Sequence, residues 1–190
     1  MTKANMKTNE NGLTKKDLFR ANWRWLWSSQ LAWNYEKMMA TGYFYTVLPF
    51  LKRWYHDDEL VDMMKMQDQF FNTNAFVGGF IIGMDLAIEE KKGSAAKNTV
   101  AGIKTGLMGP LAGVGDTIFG VIISTIFGSI GAYMGLKGNP AGAFLWILVD
   151  LVVLFARFSF LPMGYYQGAK LIDSAQGKLN AVTDAEILLG

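Results

Sequence analysis

The chain contains no cysteine and a single histidine, His56, among its 190 residues. The absence of cysteine excludes disulfides, thiolate-bound zinc, iron–sulfur clusters and a thiol nucleophile. His56 stands between Tyr55 and Asp57 beside a predicted helix start. Because nothing glycine-rich or basic surrounds it, we interpret it as an exposed loop residue and not as a phosphoryl acceptor. We therefore predict no catalytic residue, no metal site and no cofactor in this chain.

Charge is also scarce, and it is unevenly placed. Charged residues form 18% of the chain, whereas soluble domains average about 25%. Residues 105–169 contain as charges only Asp116, Lys137, Asp150 and Arg157. The net charge of +2 is too small to indicate nucleic-acid binding. A charged front half followed by an apolar, glycine-rich back half predicts an all-α polytopic membrane protein.

The chain divides into four predicted parts. They are a flexible N-terminus (residues 1–12), interfacial amphipathic helices (13–69), re-entrant hairpin or core segments (70–116) and transmembrane helices (117–190). Periodicity and composition change at each boundary, which is the basis of the division.

The front half is rich in aromatic residues. Thr14 and Asp17 have the spacing of a capping box, so a helix is expected to begin there. The tryptophans from Trp23 to Trp33 are interleaved with arginines, which suits the headgroup region of a bilayer. A tryptophan-rich core helix is the alternative. Pro49 is predicted to break the aromatic segment that follows.

Residues 70–88 and 100–116 are apolar but contain glycine, asparagine and aspartate, which a lipid-facing span would avoid. Irregular backbone is accepted at membrane depth where it lines protein or a cavity. We therefore predict interrupted, re-entrant helices in both segments. The Gly109-Pro110 pair is expected to break the second of them.

The clearest transmembrane prediction is residues 117–136, which are 20 uncharged residues in a row and about 30 Å of helix. A second span is predicted over residues 141–162. It contains Asp150 and Arg157, which share one helix face and should point toward protein. A new helix is predicted from Thr183. The chain stops inside an apolar segment, so we expect a C-terminal portion of the domain to be missing.

Three polar motifs, Trp33–Met38, Phe70–Asn74 and Lys104–Thr117, carry the chemistry of a neutral polyol site. Together they supply carboxylates, amides, hydroxyls and aromatic rings. The candidate substrate-binding residues are Trp33, Asn34, Glu36, Asn72, Thr73, Asn74, Asp116 and Thr117. The candidate hinge or close-approach positions are Gly106, Gly109, Pro110, Gly113 and Gly115. No arginine cluster and no nucleotide-binding Lys-Ser/Thr pair is present, so an anion site is not predicted.

Each of these candidates also has a structural interpretation. Inserting a carboxylate into a membrane costs about 2.5–3.5 kcal/mol of free energy. Asp116 is therefore expected to have either a structural partner or a functional role. It could cap the helix that opens at Thr117, or pair with Lys104. Glu36 could form a surface ion pair. The polar run Asn72–Asn74 could end one helix and cap the next.

In their order along the chain, these motifs resemble the IID membrane subunit of the mannose-family phosphotransferase system. The resemblance covers essentially the whole chain. The segments that carry it are Leu13–Leu18, Trp33–Met38, Phe70–Thr73 and the long Gly-Leu-Met-Gly-Pro-Leu-Ala-Gly-Val-Gly-Asp run at Gly106–Asp116. It departs from the family at Gln67–Gln69, where a histidine and a glutamate are expected, and at Met39, where glutamine is common.

The resemblance implies a division of labour between subunits. A IIC membrane partner joins IID, in trimers of such pairs, and soluble IIAB carries phosphate on histidines, so that IID itself carries none. It implies a multi-pass protein of a bacterial cytoplasmic membrane that translocates a hexose such as mannose or glucose as it is phosphorylated. The hairpin-bearing core would move against a scaffold.

Several points stay open at this stage. N-acetylgalactosamine, fructose and sorbose are alternative sugars, and some complexes of this family serve as bacteriocin or phage receptors. A stand-alone secondary transporter and a purely structural membrane subunit are alternatives of another class.

Overall fold

The computed structural model describes the backbone of residues 12–189 and the side chains of residues 12–172 and 174. Its α-helices are α1 (Lys15–Ser28), α2 (Ala40–Trp54), α3 (Asp57–Gln67), α4 (Gly78–Lys92), α5 (Lys97–Gly115), α6 (Ser124–Leu136) and α7 (Ala141–Leu189). Gly93–Ala96 is a 3₁₀ turn, and Asp116–Ile123 is a π-helical segment that joins α5 to α6. Within the described residues, extended pairing is limited to two isolated bridges. The all-α prediction is confirmed, and the flexible N-terminus predicted over residues 1–12 lies outside the described residues except for Gly12.

Helix α1 begins at the predicted capping box. The Asp17 N–H donates to the Thr14 hydroxyl at 3.2 Å, and the Thr14 N–H donates to the Asp17 carboxylate at 3.0 Å. The hydrogen bond from the Thr14 side chain lowers the pKa of Asp17. Trp25 is fully buried, as expected for a tryptophan-rich core helix. Trp23 and Trp27 are 49% and 64% exposed, as expected for an interfacial helix.

The prolines do not break their helices, and the predictions made for Pro49 and Pro110 were wrong. A proline leaves the carbonyl four residues earlier without its helical donor. For Pro49 that carbonyl belongs to Tyr45, and the Arg24 guanidinium donates to it at 3.3 Å. Pro110 lies inside α5. The clash that disfavours helix before a proline involves the preceding Cβ, which Gly109 lacks.

Pro162 in α7 is accommodated in the same way as Pro49. Its unpaired carbonyl is that of Phe158, and the Asn22 amide donates to it at 2.6 Å. Asn22 is 4% exposed. Two polar side chains of α1 therefore complete the hydrogen bonding of two other helices.

Replacing Asn22 with alanine is expected to destabilise the fold by about 1–3 kcal/mol, because the Phe158 carbonyl is left without a donor in a buried place. Thermal unfolding of the purified protein in detergent measures the change. Asn98→Ala removes an exposed amide from α5 and should leave the unfolding temperature unchanged. Equal unfolding temperatures for the two variants would contradict this account of Pro162.

The centre of the fold is the contact between α4 and α7, where glycines bring the two backbones together. A Cβ on Gly83 would collide with the Leu161 carbonyl oxygen, and a Cβ on Gly164 would collide with that of Phe80. Small residues at such contacts let membrane helices approach closely. Ile81, Ile82 and Leu86 are buried. Helix α4 is thus a core helix, even though it carries three acidic residues, of which Asp85 and Glu89 are buried.

The predicted interruption in residues 70–88 lies ahead of α4. Residues 70–77 are irregular, and Gly78–Lys92 then runs as one helix. Helices α4 and α5 form a hairpin about the turn Gly93–Ala96. That this hairpin is re-entrant in a membrane stays a prediction.

The predicted spans correspond to long apolar helices. Two stretches of the described chain, Gly78–Leu136 and Ala141–Ile172, contain segments long and apolar enough to cross a membrane. The new helix predicted from Thr183 was wrong, because α7 continues without interruption to Leu189. Arg157 points into the protein as expected, donating to the Ser29 hydroxyl at 2.9 Å. Asp150 is exposed, since it lies two turns before the part of α7 that the end of α1 covers.

Candidate functional site

The first motif, Trp33–Met38, is a tight loop held by its own asparagine. The Asn34 side-chain oxygen accepts the backbone N–H groups of Glu36 at 3.1 Å and Lys37 at 2.9 Å. The Met38 N–H donates to the Asn34 carbonyl at 2.8 Å, and Met38 has a positive φ of 53°. Asn34 thus shapes the loop, while Glu36 is exposed and the Trp33 ring lies edge-on to Tyr35, 5.0 Å between centroids.

This loop docks on the second motif through the backbone. The Met39 N–H donates to the Phe71 carbonyl at 2.8 Å, and the Phe71 N–H donates to the Lys37 carbonyl at 3.4 Å. The Lys37 ammonium lies 2.5 Å from the Asp68 carboxylate. A hydrogen bond with Asp68 raises the pKa of Lys37. The first two motifs are therefore neighbours in the fold.

The third motif joins them through one side-chain contact. The Asn74 amide donates to the Asp116 carboxylate at 2.8 Å. The Asn74 oxygen accepts the Phe76 N–H at 2.9 Å, so the same residue also orders the entry into α4. A Cβ on Gly115 would lie 2.5 Å from the Asn74 Cγ. Only glycine at 115 allows α5 to approach Asn74 this closely.

The candidate residues differ in their exposure. Thr73 and Asn74 are buried, and the Thr73 hydroxyl has no hydrogen-bond partner within the described chain. The exposed candidates are Trp33, Asn34, Glu36, Asn72, Asp116 and Thr117. This set offers two carboxylates and two amides on the surface of one region of the fold.

Both structural interpretations of Asp116 were wrong. Its φ and ψ of −64° and −39° are helical, so it lies within a continuous helical path and caps no helix. Lys104 hydrogen-bonds elsewhere, to the Gln67 carbonyl. Asp116 instead marks the point at which α-helix changes to π-helix. Such π-helical segments are frequent at functional sites.

The glycines of the third motif divide into two kinds. A Cβ at Gly106, Gly109 or Gly113 would meet nothing within 4 Å, unlike one at Gly115. Pro110, Gly113 and Thr117 line a surface cavity of about 550 Å³ beside Asp116. Gly106, Gly109 and Gly113 thus keep this side of α5 open, and Gly115 has the close contact within the chain.

A buried polar cluster beneath these motifs was not predicted from the sequence. It consists of Tyr43, Gln67, Asp85, Glu89 and Lys104, each almost or completely buried. The Gln67 amide donates both to Asp85 at 2.6 Å and to Glu89 at 2.9 Å. The Tyr43 hydroxyl donates to Asp85 at 2.5 Å. Burial and the Asp85 charge raise the pKa of Tyr43, so this phenol keeps the proton that it donates.

Lys104 completes the cluster from α5. Its ammonium donates to the Gln67 carbonyl at 2.8 Å and lies 4.1 Å from the centroid of the Tyr43 ring. The Phe71 ring is 5.6 Å away. Lys104 therefore holds α5 against Gln67, just before the second motif. The hydrogen bond between Asn74 and Asp116 joins the end of α5 to the second motif itself. The sequence signal for this cluster is the spacing of Asp85 and Glu89, one turn apart in an otherwise apolar helix.

Two residues that depart from the family motif, Gln67 and Asp68, form contacts in and beside this cluster. Gln67 bridges the two buried acids, and Asp68 pairs with Lys37 of the first motif. Among the described residues no three His, Asp or Glu side chains are grouped so as to hold a metal ion. The arrangement offers hydrogen-bond donors and acceptors for a neutral ligand.

The chain is similar to known sugar-transport subunits. The family model described as PTS system mannose/fructose/sorbose family IID component matches residues 12–190. The mannose-specific EIID component of Escherichia coli is 34% identical over 201 residues, covering 100% of this chain and 69% of that protein. The fructose permease IID component of Bacillus subtilis is 33% identical over 190 residues, covering 95% and 68%. A sorbose-specific EIID component of Klebsiella pneumoniae is 32% identical over 167 residues, covering 85% and 61%.

Solved structures give the same result. The mannose transporter ManYZ, determined by cryo-electron microscopy in complex with a microcin, contains a chain that matches with a TM-score of 0.81 and 34% identity. The match covers 95% of this chain and 68% of that one. The fold, the motifs and the relatives therefore agree: this chain belongs to the IID components of the mannose/fructose/sorbose family of the phosphotransferase system, and it is a membrane protein of sugar transport.

Proposed function

We propose that this chain forms, with a IIC membrane subunit, the sugar-binding and translocating part of a multi-pass permease in a bacterial cytoplasmic membrane. Soluble IIA and IIB subunits phosphorylate the sugar as it is delivered, so the free energy for uptake comes from them. The substrate is a hexose related to mannose or glucose. The IID chain binds and orients this sugar and carries no phosphoryl group itself.

The observation that carries the proposal is the Asn74–Asp116 hydrogen bond of 2.8 Å. It joins two motifs that are distant in sequence, and it leaves Asp116 exposed at the start of a π-helical segment. A carboxylate held by an amide is an acceptor for sugar hydroxyl groups, and it does not require a positively charged ligand. Exposed Asn72, Glu36 and Trp33 add an amide, a carboxylate and an aromatic ring.

The arrangement of the helices favours a site shared with another subunit. The cavity of about 550 Å³ at Pro110, Gly113 and Thr117 is shallow and lies on the surface of this chain. Binding sites usually enclose most of a small ligand. The IIC subunit would supply the opposite wall and close the site.

The test is uptake in cells that lack their own mannose-family transporter and express this chain with its IIC and IIAB subunits. Radiolabelled mannose, glucose, fructose, sorbose and N-acetylgalactosamine form the panel. We expect uptake and phosphorylation of at least one of these sugars, and co-purification of the IIC subunit with this chain. A complex that assembles but takes up no sugar of the panel would contradict the proposal.

Asp116→Asn is expected to raise the half-saturating concentration of the transported sugar by about tenfold or more, because hydrogen bonds to a charged group contribute about 1.5–3 kcal/mol. The amide still accepts a hydrogen bond from Asn74, so assembly should be kept. Asp58→Asn neutralises an exposed acid at the start of α3 and serves as the matched control. An unchanged half-saturating concentration in Asp116→Asn would remove Asp116 from the sugar site.

A further inference from the structure

Helices α1 and α7 enclose an apolar groove that the sugar site does not use. Its volume is about 1070 Å³, and its walls include Phe19, Trp23 and Trp27 from α1 and Leu154 and Phe155 from α7. Phe19, Trp27 and Phe155 are 58%, 64% and 75% exposed. Aromatic surface of this extent is rare on soluble monomers, and in a membrane protein it meets lipid or another chain.

The groove has a defined direction along α7. The start of α1 lies beside Tyr165, since a Cβ on Gly12 would be 3.4 Å from the Tyr165 hydroxyl. Further along α1, Asn22 bonds to Phe158. Helices α1 and α7 are therefore antiparallel. The groove extends from Lys15 and Tyr166 at one end to Trp27 and Leu154 at the other.

The two ends of the groove differ in charge. The first turns of α1 carry Lys15, Lys16 and Arg20, all exposed. Arg20 and Arg24 line a smaller apolar depression next to the groove, but the Arg24 guanidinium is bound to the Tyr45 carbonyl. Of the acids nearby, Asp17 forms an ion pair with Arg53 at 3.5 Å, and one oxygen of the Glu90 carboxylate accepts the Tyr165 hydroxyl. The far end is lined by indole, phenyl and aliphatic groups. A cationic entrance on an apolar groove is complementary to one class of ligand, an anionic amphiphile.

We propose that this groove binds an anionic phospholipid, with its head group at Lys15 and Arg20 and its acyl chains between α1 and α7. The aromatic rings of Trp23 and Trp27 supply flat apolar walls for the chains, and Tyr166 stands at the head-group end, where amphipathic rings are favoured. Cationic residues near a membrane surface attract anionic lipid. Such a lipid would brace α1, whose Asn22 and Arg24 complete the hydrogen bonding of α7 and α2.

Brominated lipids test the proposal, because bromine on an acyl chain quenches the fluorescence of a tryptophan that it contacts. The complex of this chain with its IIC subunit is placed in phosphatidylcholine vesicles that contain increasing amounts of dibrominated phosphatidylglycerol. A parallel series uses dibrominated phosphatidylcholine. We expect phosphatidylglycerol to quench at lower mole fraction. The double variant W23F and W27F should lose this excess quenching, since it removes the two indoles that line the groove.

Charge reversal of the entrance, with Lys15→Glu and Arg20→Glu together, is expected to lower the preference for phosphatidylglycerol by about fivefold for each charge. The control reverses Lys65 and Lys97, two exposed cations of α3 and α5, and should keep the preference. Where the reversed variant assembles poorly, Lys15→Gln with Arg20→Gln gives the same comparison without new acids.

Three results would overturn the proposal. Equal quenching by the two brominated lipids would mean that the groove faces ordinary bilayer lipid. A preference that survives charge reversal would place the anionic lipid elsewhere. Protection of Trp23 and Trp27 from both lipids would mean that a protein chain covers the groove. None of these results depends on which sugar is transported, so the sugar-site proposal is tested separately.

Discussion

Replacing Lys104 with methionine is expected to destabilise the protein by about 3–5 kcal/mol, the cost of removing one partner from a buried charged cluster. Lys104 is 3% exposed, and Asp85 and Glu89 are 2% and 1% exposed. Without the ammonium, Asp85 and Glu89, which both accept from the Gln67 amide, lose the positive charge that interacts with them. The Gln67 carbonyl also loses its donor.

The measurement is thermal unfolding of the purified complex in detergent. Lys97→Met is the matched control, because Lys97 lies on the same helix two turns earlier and is exposed. Its effect should be within about 0.5 kcal/mol of zero, as for most surface substitutions. An unfolding temperature of Lys104→Met equal to that of Lys97→Met would show that the ammonium does not stabilise the cluster.

A double variant separates charge from packing. When Lys104→Met is combined with Asp85→Asn, one acid and one cation are removed together, and the amide still accepts the Tyr43 hydroxyl. We expect this double variant to recover part of the lost stability. If the double variant is less stable than Lys104→Met alone, the loss is one of packing and hydrogen bonding, and charge compensation is not its cause.

The polar motifs were readable from the sequence because each is short and its residues are contiguous. In the fold, the loop Trp33–Met38 contacts Phe70–Asn74, and Phe70–Asn74 contacts the end of the Gly106–Asp116 run. The buried cluster could not be assembled in this way. Its members come from α2, α3, α4 and α5, and their grouping depends on how these helices pack. Asp85 and Glu89 alone carried a local signal, since they are one helical turn apart.

The behaviour of the prolines shows a second limit of sequence reasoning. A proline is treated as a helix breaker because its neighbours in sequence cannot replace the missing donor. Here the donors for the Tyr45 and Phe158 carbonyls are Arg24 and Asn22, which come from a different helix. Nothing within several residues of Pro49 indicates this. Side chains of α1 thus allow both helices to continue, and tertiary contacts decide the secondary structure.

Replacing Gly115 with alanine is expected to reduce sugar uptake by about 10²-fold while the complex still assembles, because a displacement of about 1 Å at a positioned group costs rates of this order. The added methyl would lie 2.4 Å from the Asn74 Cβ and 2.5 Å from its Cγ, so either α5 or the chain at Asn74 has to move. Both shifts separate Asn74 from Asp116. Gly102→Ala is the matched control on the same helix.

The comparison is sharp because both substitutions add the same group to the same helix. A Cβ on Gly102 meets nothing within 4 Å, and Gly102 does not line the cavity beside Asp116. Gly102→Ala should therefore leave uptake within about twofold of the parent, as expected of a surface change that disturbs no neighbour. Adding Asn74→Gly to Gly115→Ala removes every Asn74 atom that the new methyl would meet, and it also removes the donor to Asp116, so assembly should improve while uptake stays low. Uptake restored by this double variant would mean that the close approach at Gly115 matters only for packing. Uptake lost in Gly115→Ala, kept in Gly102→Ala and not restored in the double variant would tie the Asn74–Asp116 geometry to sugar binding.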